Sequence, residues 1–257
     1  MTKLSSWPLQ PVVLALFVAY LQNKSFSYNT IATYVSAIAY FHKLQGYSDP
    51  ADTFLVRKTL AGLRKLQPAV DTRLPITLDI LRQLIGYLYD LGLGFFQTKL
   101  YKAMFLLAFF AFLRIGEMTA YPHSTHNIQV HNVQLGTHAI LIHFQSFKHS
   151  KRPQSVQIMS RRDAFCPVTA LKSYLAIRGK TSGPLFCWPN YQPILRTQFT
   201  DILQSCLKAA NLSVQLYKGH SFRIGAATYA KQMGLSDGQI RRLGRWQSDA
   251  FLLYIRG

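Results

Sequence analysis

The stretch YKGHSFRIGAATYAKQMGL, residues 217–235, places His220 and Arg223 three positions apart at the start of a predicted helix. Residues at i and i+3 lie on one face of a helix, so both side chains point to one spot. The arginine fork matches two phosphate oxygens, and a helix N-terminus adds partial positive charge. The small residues 225–227 allow close packing against a neighbour. This stretch predicts a phosphate-binding helix start, although a surface His beside a surface Arg is also common.

The net charge indicates the class of partner. The 257 residues include 29 Lys and Arg against 10 Asp and Glu, which gives a formal net charge of +19. Such a field attracts polyanions, of which nucleic acid is the leading candidate. The cations are interleaved with aromatic and aliphatic residues, so a basic disordered tail does not explain them.

The stretch FLRIGEM, residues 112–118, follows a strongly apolar segment that we interpret as a buried central helix. Arg114 emerges from the end of that helix, and arginine is rarely buried unpaired. Glu117, three residues later, can hold it in a salt bridge. The pair is either a helix-terminal ion pair or part of a polar site.

Residues 127–159 change to the alternating pattern of three short strands, with segments at 127–135, 139–144 and 155–160. The turn QSFKHSK between the second and third strands carries Lys148 and Lys151. A lysine at a hairpin tip can swing into a cleft and donate a proton, but most hairpin lysines are solvated.

The C-terminal stretch GRWQSDAFLLYIRG carries a tyrosine at the end of a short predicted helix. Ser248 can cap that helix, and Tyr254 lies at its end with Arg245 nine residues before it. A packed aromatic on an amphipathic turn is the simpler interpretation of a lone tyrosine.

The remaining segments predict helices, so the fold class is mainly α with a small antiparallel β-sheet, an α+β protein. Residues 66–77 contain two prolines and no helical period, which indicates a linker. We therefore expect a helical DNA-binding domain over residues 1–70 and a catalytic domain over residues 71–257. Six cations are expected to contact DNA: Arg57, Lys58, Arg64, Lys65, Lys151 and Arg152.

The order Arg, Lys, His-x-x-Arg, Gly-led box, Tyr resembles the tyrosine recombinase, or phage integrase, family. FLRIGE resembles the first arginine box, GHSFRIGAATYA the HxxR box, and LGRW followed by YIR the third box and nucleophile. The resemblance covers nearly the whole chain, and the residues before the linker resemble the core-binding (SAM-like) domain of that family. The lysine spacing is most similar to eukaryotic transposon recombinases of the DIRS and Crypton kind.

The third box departs from the family pattern at one position. The family usually has His, sometimes Trp, nine residues before the tyrosine, and this chain has Arg245 there with Trp246 next. Two alternatives remain open: Arg245 contacts the scissile phosphate, or Trp246 takes the place by a shift of one residue.

The resemblance implies a metal-independent mechanism without cofactors. Arg114 and Arg223 are expected to hold the non-bridging phosphate oxygens, with His220 as hydrogen-bond donor or proton acceptor. Tyr254 is expected to attack, which forms a 3′-phosphotyrosyl enzyme. Lys148, or Lys151 in its place, is expected to protonate the departing 5′-oxygen.

The expected partners are double-stranded DNA and, by resemblance, further copies of the chain, from a dimer to a tetramer. The longest apolar run has ten residues, Met104 to Leu113, which is too short for a membrane span. The unpaired cysteine pattern fits an intracellular compartment, and the nucleus is expected if the source is eukaryotic. The rival functions are a helix-turn-helix regulator, a type IB topoisomerase, and a recombinase-derived DNA-binding protein that no longer cleaves.

Overall fold

The computed structural model describes residues 7–67, 71–120, 127–145 and 153–256. The chain divides into two compact units, Met1–Asp71 and Thr72–Gly257. Each unit has a buried apolar core of its own. The division falls one residue beyond the boundary expected between residues 70 and 71.

The first unit is built from three α-helices. Their bounds are Pro11–Asn23 (α1), Tyr28–Leu44 (α2) and Phe54–Leu66 (α3), with a 3-10 turn at Pro50–Asp52. Proline occupies the first position of α1, where its missing N–H costs no hydrogen bond. The hydroxyl of Ser27 caps α2 by accepting from the Thr30 amide. The core consists of Leu14, Val18, Leu21, Ile31, Val35, Val56 and Leu63.

The second unit contains the remaining elements. Its helices are α4 (Leu78–Asp90), α5 (Phe95–Phe110), α6 (Ile115–Met118), α7 (Pro167–Arg178), α8 (Arg196–Ala209), α9 (Ser221–Gln232) and α10 (Asp237–Gly244). Its strands are β1 (Val133–Leu135), β2 (Ala139–Phe144) and β3 (Gln154–Met159), and 3-10 turns lie at Val130–Asn132 and Asp249–Tyr254. This confirms the predicted fold class, mainly α with a small antiparallel sheet.

Helix α5 is the buried central helix that the sequence predicts. Its residues from Leu100 to Phe109 are buried except Lys102. The helix ends at Phe110, however, so the expectation that Arg114 emerges from it directly is wrong. Phe112 has a positive φ of 51°, which turns the chain before the separate short helix α6, whose N-cap residue is Arg114.

The sheet has the strand order β1-β2-β3, and both pairs are antiparallel. Buried side chains alternate along β2 at Ile140, Ile142 and Phe144, so one face lies on the core. The first predicted strand, 127–135, is shorter than expected, because Val130–Asn132 form a 3-10 turn. The tip of the β2–β3 hairpin, residues 146–152, lies outside the described residues.

Close packing of α9 against the Ile76 backbone requires a small residue at position 225, just after Arg223. A Cβ atom there would lie 1.8 Å from the carbonyl oxygen of Ile76 and 3.2 Å from the ring of Phe109. Ile76 also donates its amide proton to the Ser221 carbonyl at 3.0 Å. Helix α9 therefore lies directly against the backbone that precedes α4.

The end of the expected linker, 66–77, belongs to the second unit. Leu74 donates its amide proton to the Leu216 carbonyl at 2.9 Å, and Ile76 is fully buried. Among the residues that the structure describes, no helix has both the length and the apolar character to cross a membrane.

Candidate active site

Three separate segments of the second unit bring His220, Arg223 and Tyr254, three of the predicted catalytic side chains, together with Trp246. The Nε2 atom of His220 lies 2.5 Å from the hydroxyl oxygen of Tyr254. The guanidinium carbon of Arg223 lies 4.4 Å from the centre of the Trp246 ring and 5.9 Å from that of Tyr254. The sequence separations are large, from 23 to 34 residues, so these contacts are made by the fold rather than by local spacing.

Arg223 is buried, with 1% of its surface exposed. It donates hydrogen bonds to the carbonyl oxygens of Phe112 and, at 2.8 Å, Gly244. Burial lowers the pKa of its guanidinium, and the nearby positive charges of Arg114 and Arg245 lower it further. A guanidinium in such surroundings gains strongly from an anion placed beside it.

The turn after α5 is shaped to hold cations. The carbonyl oxygen of Phe112 accepts from Arg223 and, at 3.3 Å, from Arg245. A positive φ at a residue with a large side chain is unfavourable, by about 1–2 kcal/mol. The chain therefore adopts an unfavourable backbone conformation at the residue whose carbonyl oxygen binds both Arg223 and Arg245.

Glu117 is buried and contacts two arginines. Its Oε1 atom accepts from Arg114 Nη1 at 3.0 Å, and its Oε2 atom accepts from Arg245 Nη2 at 2.7 Å. Oε2 also accepts from the backbone amide of Arg114 at 2.8 Å. The ion pair expected between Arg114 and Glu117 is present, and the Arg114 side chain remains 19% exposed.

Arg245 lies behind the site rather than in it. Its side chain has 0% exposed surface, and its guanidinium carbon lies 4.2 Å from the centre of the Phe144 ring. Burial lowers the pKa of this guanidinium, whereas the charge of Glu117 raises it. Its hydrogen bonds go to interior oxygens of Ala111, Phe112 and Glu117. Because the guanidinium faces the interior, the arrangement does not favour the alternative in which Arg245 contacts the scissile phosphate.

Trp246 has the opposite placement. Its ring packs edge-on against Tyr254, with 5.0 Å between ring centres, and covers Arg223. A Cβ atom on Gly244 would lie 1.6 Å from this ring. The glycine of LGRW therefore allows the indole to fold back over the end of α10 and reach the tyrosine.

The C-terminal turn holds Tyr254 in place. As expected, Ser248 caps the turn, accepting from the Ala250 amide at 3.4 Å. Phe251 anchors the turn in the core with 2% of its surface exposed.

Sequence reasoning missed Thr228, whose hydroxyl donates to the Tyr254 carbonyl at 3.3 Å and accepts from the Arg256 amide at 3.0 Å. In the sequence, the one indication of this role is that Thr228 places a hydroxyl on a predicted helix of small residues.

The predicted residues Lys148, Lys151 and Arg152 lie outside the described residues. The base of their hairpin is described on both sides. Gln154 donates its side-chain amide to the Arg242 carbonyl at 3.2 Å, and Phe144 stacks on Arg245. The two strand ends that flank the lysines therefore lie beside the third box.

The four cations predicted on α3 are exposed in the first unit. The helix buries Val56 and Leu63, which are seven residues apart on one face. Arg57, Lys58, Arg64 and Lys65 are all exposed. Within the described ranges, no group of three or more His, Cys, Asp or Glu side chains is arranged to hold a metal ion.

Comparison with known proteins gives one curated relative and several similar folds. No family model matches the chain. It is 26% identical over 238 residues to an integrase/recombinase XerD homolog of Selenomonas ruminantium, covering 86% of this chain. The chain spans 66% of the length of that relative.

Solved structures of recombinases share the fold. The Tn1549 transposon integrase in complex with circular intermediate DNA matches with a TM-score of 0.64 and 13% identity, covering 97% of this chain and 82% of that one. The XerH recombinase bound to a palindromic difH substrate matches with a TM-score of 0.68 and 13% identity, covering 96% and 69%. A lambda integrase dimer bound to a core site matches with a TM-score of 0.64 and 15% identity, covering 97% of this chain and 65% of that one. These matches show that the chain has the fold of these recombinases and integrases, and the curated relative agrees with the resemblance drawn from the sequence boxes.

Proposed function

We propose that this chain cleaves and rejoins DNA strands site-specifically through a 3′-phosphotyrosine intermediate, in the recombination or integration of a mobile element. The observation that carries the proposal is the 2.5 Å contact between His220 Nε2 and the hydroxyl of Tyr254, beside Arg223. A phenol next to a base and a buried cation is an activated nucleophile at a phosphate-binding site.

The reaction follows from the charges around the site. Attack on a phosphodiester adds negative charge to its non-bridging oxygens, and Arg114 and Arg223 are the cations assigned to stabilise it. A bond forms between the Tyr254 oxygen and phosphorus while the bond to the 5′-oxygen breaks. His220 accepts the proton of the tyrosine. The departing 5′-oxygen takes a proton from the hairpin lysine, assigned to Lys148 with Lys151 as the alternative.

The third-box role belongs, in this proposal, to Trp246. Its ring lies against both Tyr254 and Arg223, whereas the Arg245 side chain is fully buried. The indole N–H is a donor that can assist the phosphate. The shift of one residue explains how the chain departs from the family pattern without losing the function.

Double-stranded DNA is the proposed partner, bound by both basic units. The exposed cations of α3, together with Lys151 and Arg152, are assigned to phosphate contacts, which give affinity without sequence information. The DNA-bound integrase and recombinase structures of this fold support that partner, and the lambda integrase dimer supports assembly on DNA, which we propose as a dimer to tetramer.

The proposed source of the chain is a eukaryotic transposon of the DIRS or Crypton kind, which places its activity in the nucleus. This rests on the lysine spacing before β3, where Lys148 lies eight residues before Val156. The expected domain roles, DNA binding by residues 1–70 and catalysis by residues 71–257, are part of the same proposal.

The test is a covalent adduct between protein and DNA. The chain is incubated with nicked or bulged duplexes and run on a denaturing gel, and an adduct is expected. Tyr254→Phe should abolish the adduct while DNA binding persists. Tyr191→Phe is the matched control, because the hydroxyl of this exposed tyrosine is hydrogen-bonded to Thr181, which donates to it, and makes, among the described residues, no histidine contact of the kind made by Tyr254. An adduct that survives Tyr254→Phe contradicts the proposal, and the absence of any wild-type adduct favours a protein that binds DNA without cleaving it.

A further inference from the structure

The buried guanidinium of Arg245 connects two parts of the site that are far apart in sequence. It pairs with Glu117, 128 residues away, at 2.7 Å, and stacks on Phe144 at 4.2 Å. Glu117 belongs to the arginine box, residues 112–118, and Phe144 is the last residue of β2. One side chain therefore contacts both the arginine box and the base of the β2–β3 hairpin.

We propose that Arg245 is an internal brace, a positioning residue that fixes the arginine box and the hairpin base relative to each other and does not touch DNA. This inference rests on the proposed function, because the parts it positions are those assigned to phosphate binding and leaving-group protonation.

The contacts with the arginine box argue for a positioning role. Glu117 is shared by Arg114 and Arg245, so its two oxygens are each held by a different guanidinium. Arg245 also donates to the carbonyls of Ala111 and Phe112, at 3.4 and 3.3 Å. The Phe112 carbonyl is also an acceptor for Arg223. Removal of Arg245 would leave one oxygen of Glu117 without its guanidinium partner and would remove one hydrogen bond to the Phe112 carbonyl. Glu117 holds Arg114 and the Phe112 carbonyl holds Arg223, the two arginines that are proposed to bind phosphate.

The backbone of Arg245 explains why the residue can reach inward. It is the C-cap of α10 and has a left-handed conformation, with φ 54° and ψ 46°. This left-handed conformation changes the direction of the backbone between Arg245 and Trp246, so that the two adjacent side chains point to different places. Arg245 points into the interior and Trp246 points to the tyrosine, so the third box supplies a brace and a site residue in sequence.

The experiment compares Arg245→Met with Arg114→Ala in two measurements, the salt dependence of DNA affinity and the rate of adduct formation at saturating DNA. A side chain that contacts a phosphate contributes about 0.9 to the slope of log K against log salt. Arg245→Met is expected to leave that slope unchanged and to slow adduct formation by about 100-fold, as misplaced charge-stabilising groups do. Arg245→Lys, which keeps the pairing with Glu117, is expected to recover part of the rate. The brace is overturned if Arg245→Met lowers the salt slope by about 0.9, the value for one phosphate contact, or if it forms the adduct at the wild-type rate.

Phe144→Leu is a second variant that keeps Arg245 itself and preserves most of the core volume. It should slow adduct formation at an unchanged salt slope, and a normal rate would contradict the connection to the hairpin. If the wild-type chain forms no adduct on any DNA, the proposed function has failed rather than the brace. The brace is then tested by thermal unfolding of Glu117→Gln, Arg245→Met and the double variant. If the loss of unfolding free energy in the double variant equals the sum of the two single losses, the two side chains are not coupled and the brace is overturned.

Discussion

The side-chain hydroxyl of Thr228 donates a 3.3 Å hydrogen bond to the carbonyl oxygen of Tyr254. The same hydroxyl accepts from the amide of Arg256 at 3.0 Å, so it holds the chain on both sides of the tyrosine side chain. Thr228 lies on α9, the helix that begins just after His220 and carries Arg223. Helix α9 therefore positions all three residues to which the proposal gives these roles: Tyr254 as nucleophile, His220 as base and Arg223 as phosphate-binding arginine.

Thr228→Val is therefore expected to slow adduct formation while DNA affinity stays unchanged. Valine has nearly the same shape and lacks the hydroxyl, so two backbone groups lose their partner, at about 1–3 kcal/mol for each that stays buried. The rate should fall by about tenfold or more if that energy is lost in positioning the tyrosine. Single-turnover cleavage at saturating DNA measures it.

Thr228→Ser is the matched control, because it keeps the hydroxyl and removes only a methyl group. Its rate should stay close to the wild-type value. Equal losses in the serine and valine variants would mean that packing, not the hydrogen bonds, positions the tyrosine.

The local features of the site could be predicted from the sequence. The i to i+3 spacing predicted the ion pair between Arg114 and Glu117, and the serine before the last turn predicted its cap. The alternating pattern placed β2 at its observed bounds. Each of these depends on residues within a few positions of one another, where spacing alone fixes geometry.

The long-range features could not be predicted in this way. The apolar pattern continues past Phe110 with no Gly or Pro, yet the helix ends there and the next carbonyls bind Arg223 and Arg245. The pairing of Arg245 with Glu117 likewise spans 128 residues. Tertiary hydrogen bonds override local helix propensity at such points, and no periodic signal reports them.

Gly244→Ala is expected to abolish adduct formation. The added Cβ atom would lie 1.6 Å from the Trp246 ring, so the indole must leave its place beside Tyr254. Gly238→Ala is the control, since it lies on the same helix and its added Cβ meets nothing within 4 Å. Cleavage assays on both variants decide this, and normal cleavage by Gly244→Ala would show that the indole position is unimportant.

Burial is expected to protect the three cysteines from reagents in the folded chain. This includes Cys166, where burial raises the pKa of the thiol but hydrogen bonds from Arg161 and Thr169 lower it further than that, so its protection comes from inaccessibility. Cys166, Cys187 and Cys206 are free and buried, and burial raises the pKa of Cys206 to about 12. Because the thiolate is the reactive form, Cys206 should stay protonated at about pH 8, where a free thiol is partly ionised. A thiol reagent should label none of the three rapidly before denaturant is added and all three afterwards. Rapid labelling of the native chain would contradict the packing of the core.

Substitutions on α3 should weaken DNA binding and lower its salt dependence. Arg57→Ala and Arg64→Ala each remove an exposed cation, and removal of one phosphate contact should reduce the slope by about 0.9. The adduct rate at saturating DNA should stay unchanged, because the site lies in the second unit. Lys43→Ala is the matched control, since its ammonium is already paired with Asp49 at 2.8 Å. A slope that is unaffected by both arginine substitutions would remove α3 from the DNA-binding surface.

The general acid is decided by comparing Lys148→Ala with Lys151→Ala on two DNA substrates. With a normal 5′-oxygen leaving group, loss of the lysine that supplies the proton should slow cleavage by about 100-fold or more. With a 5′-thio leaving group, which departs without a proton, that variant should cleave at nearly the wild-type rate. The other lysine variant should respond equally to both substrates. Arg223→Ala should not be rescued by the sulfur substitution, because the proposal assigns the charge of Arg223 to the non-bridging oxygens. If neither lysine variant gains from the sulfur substitution, the proton comes from outside this hairpin.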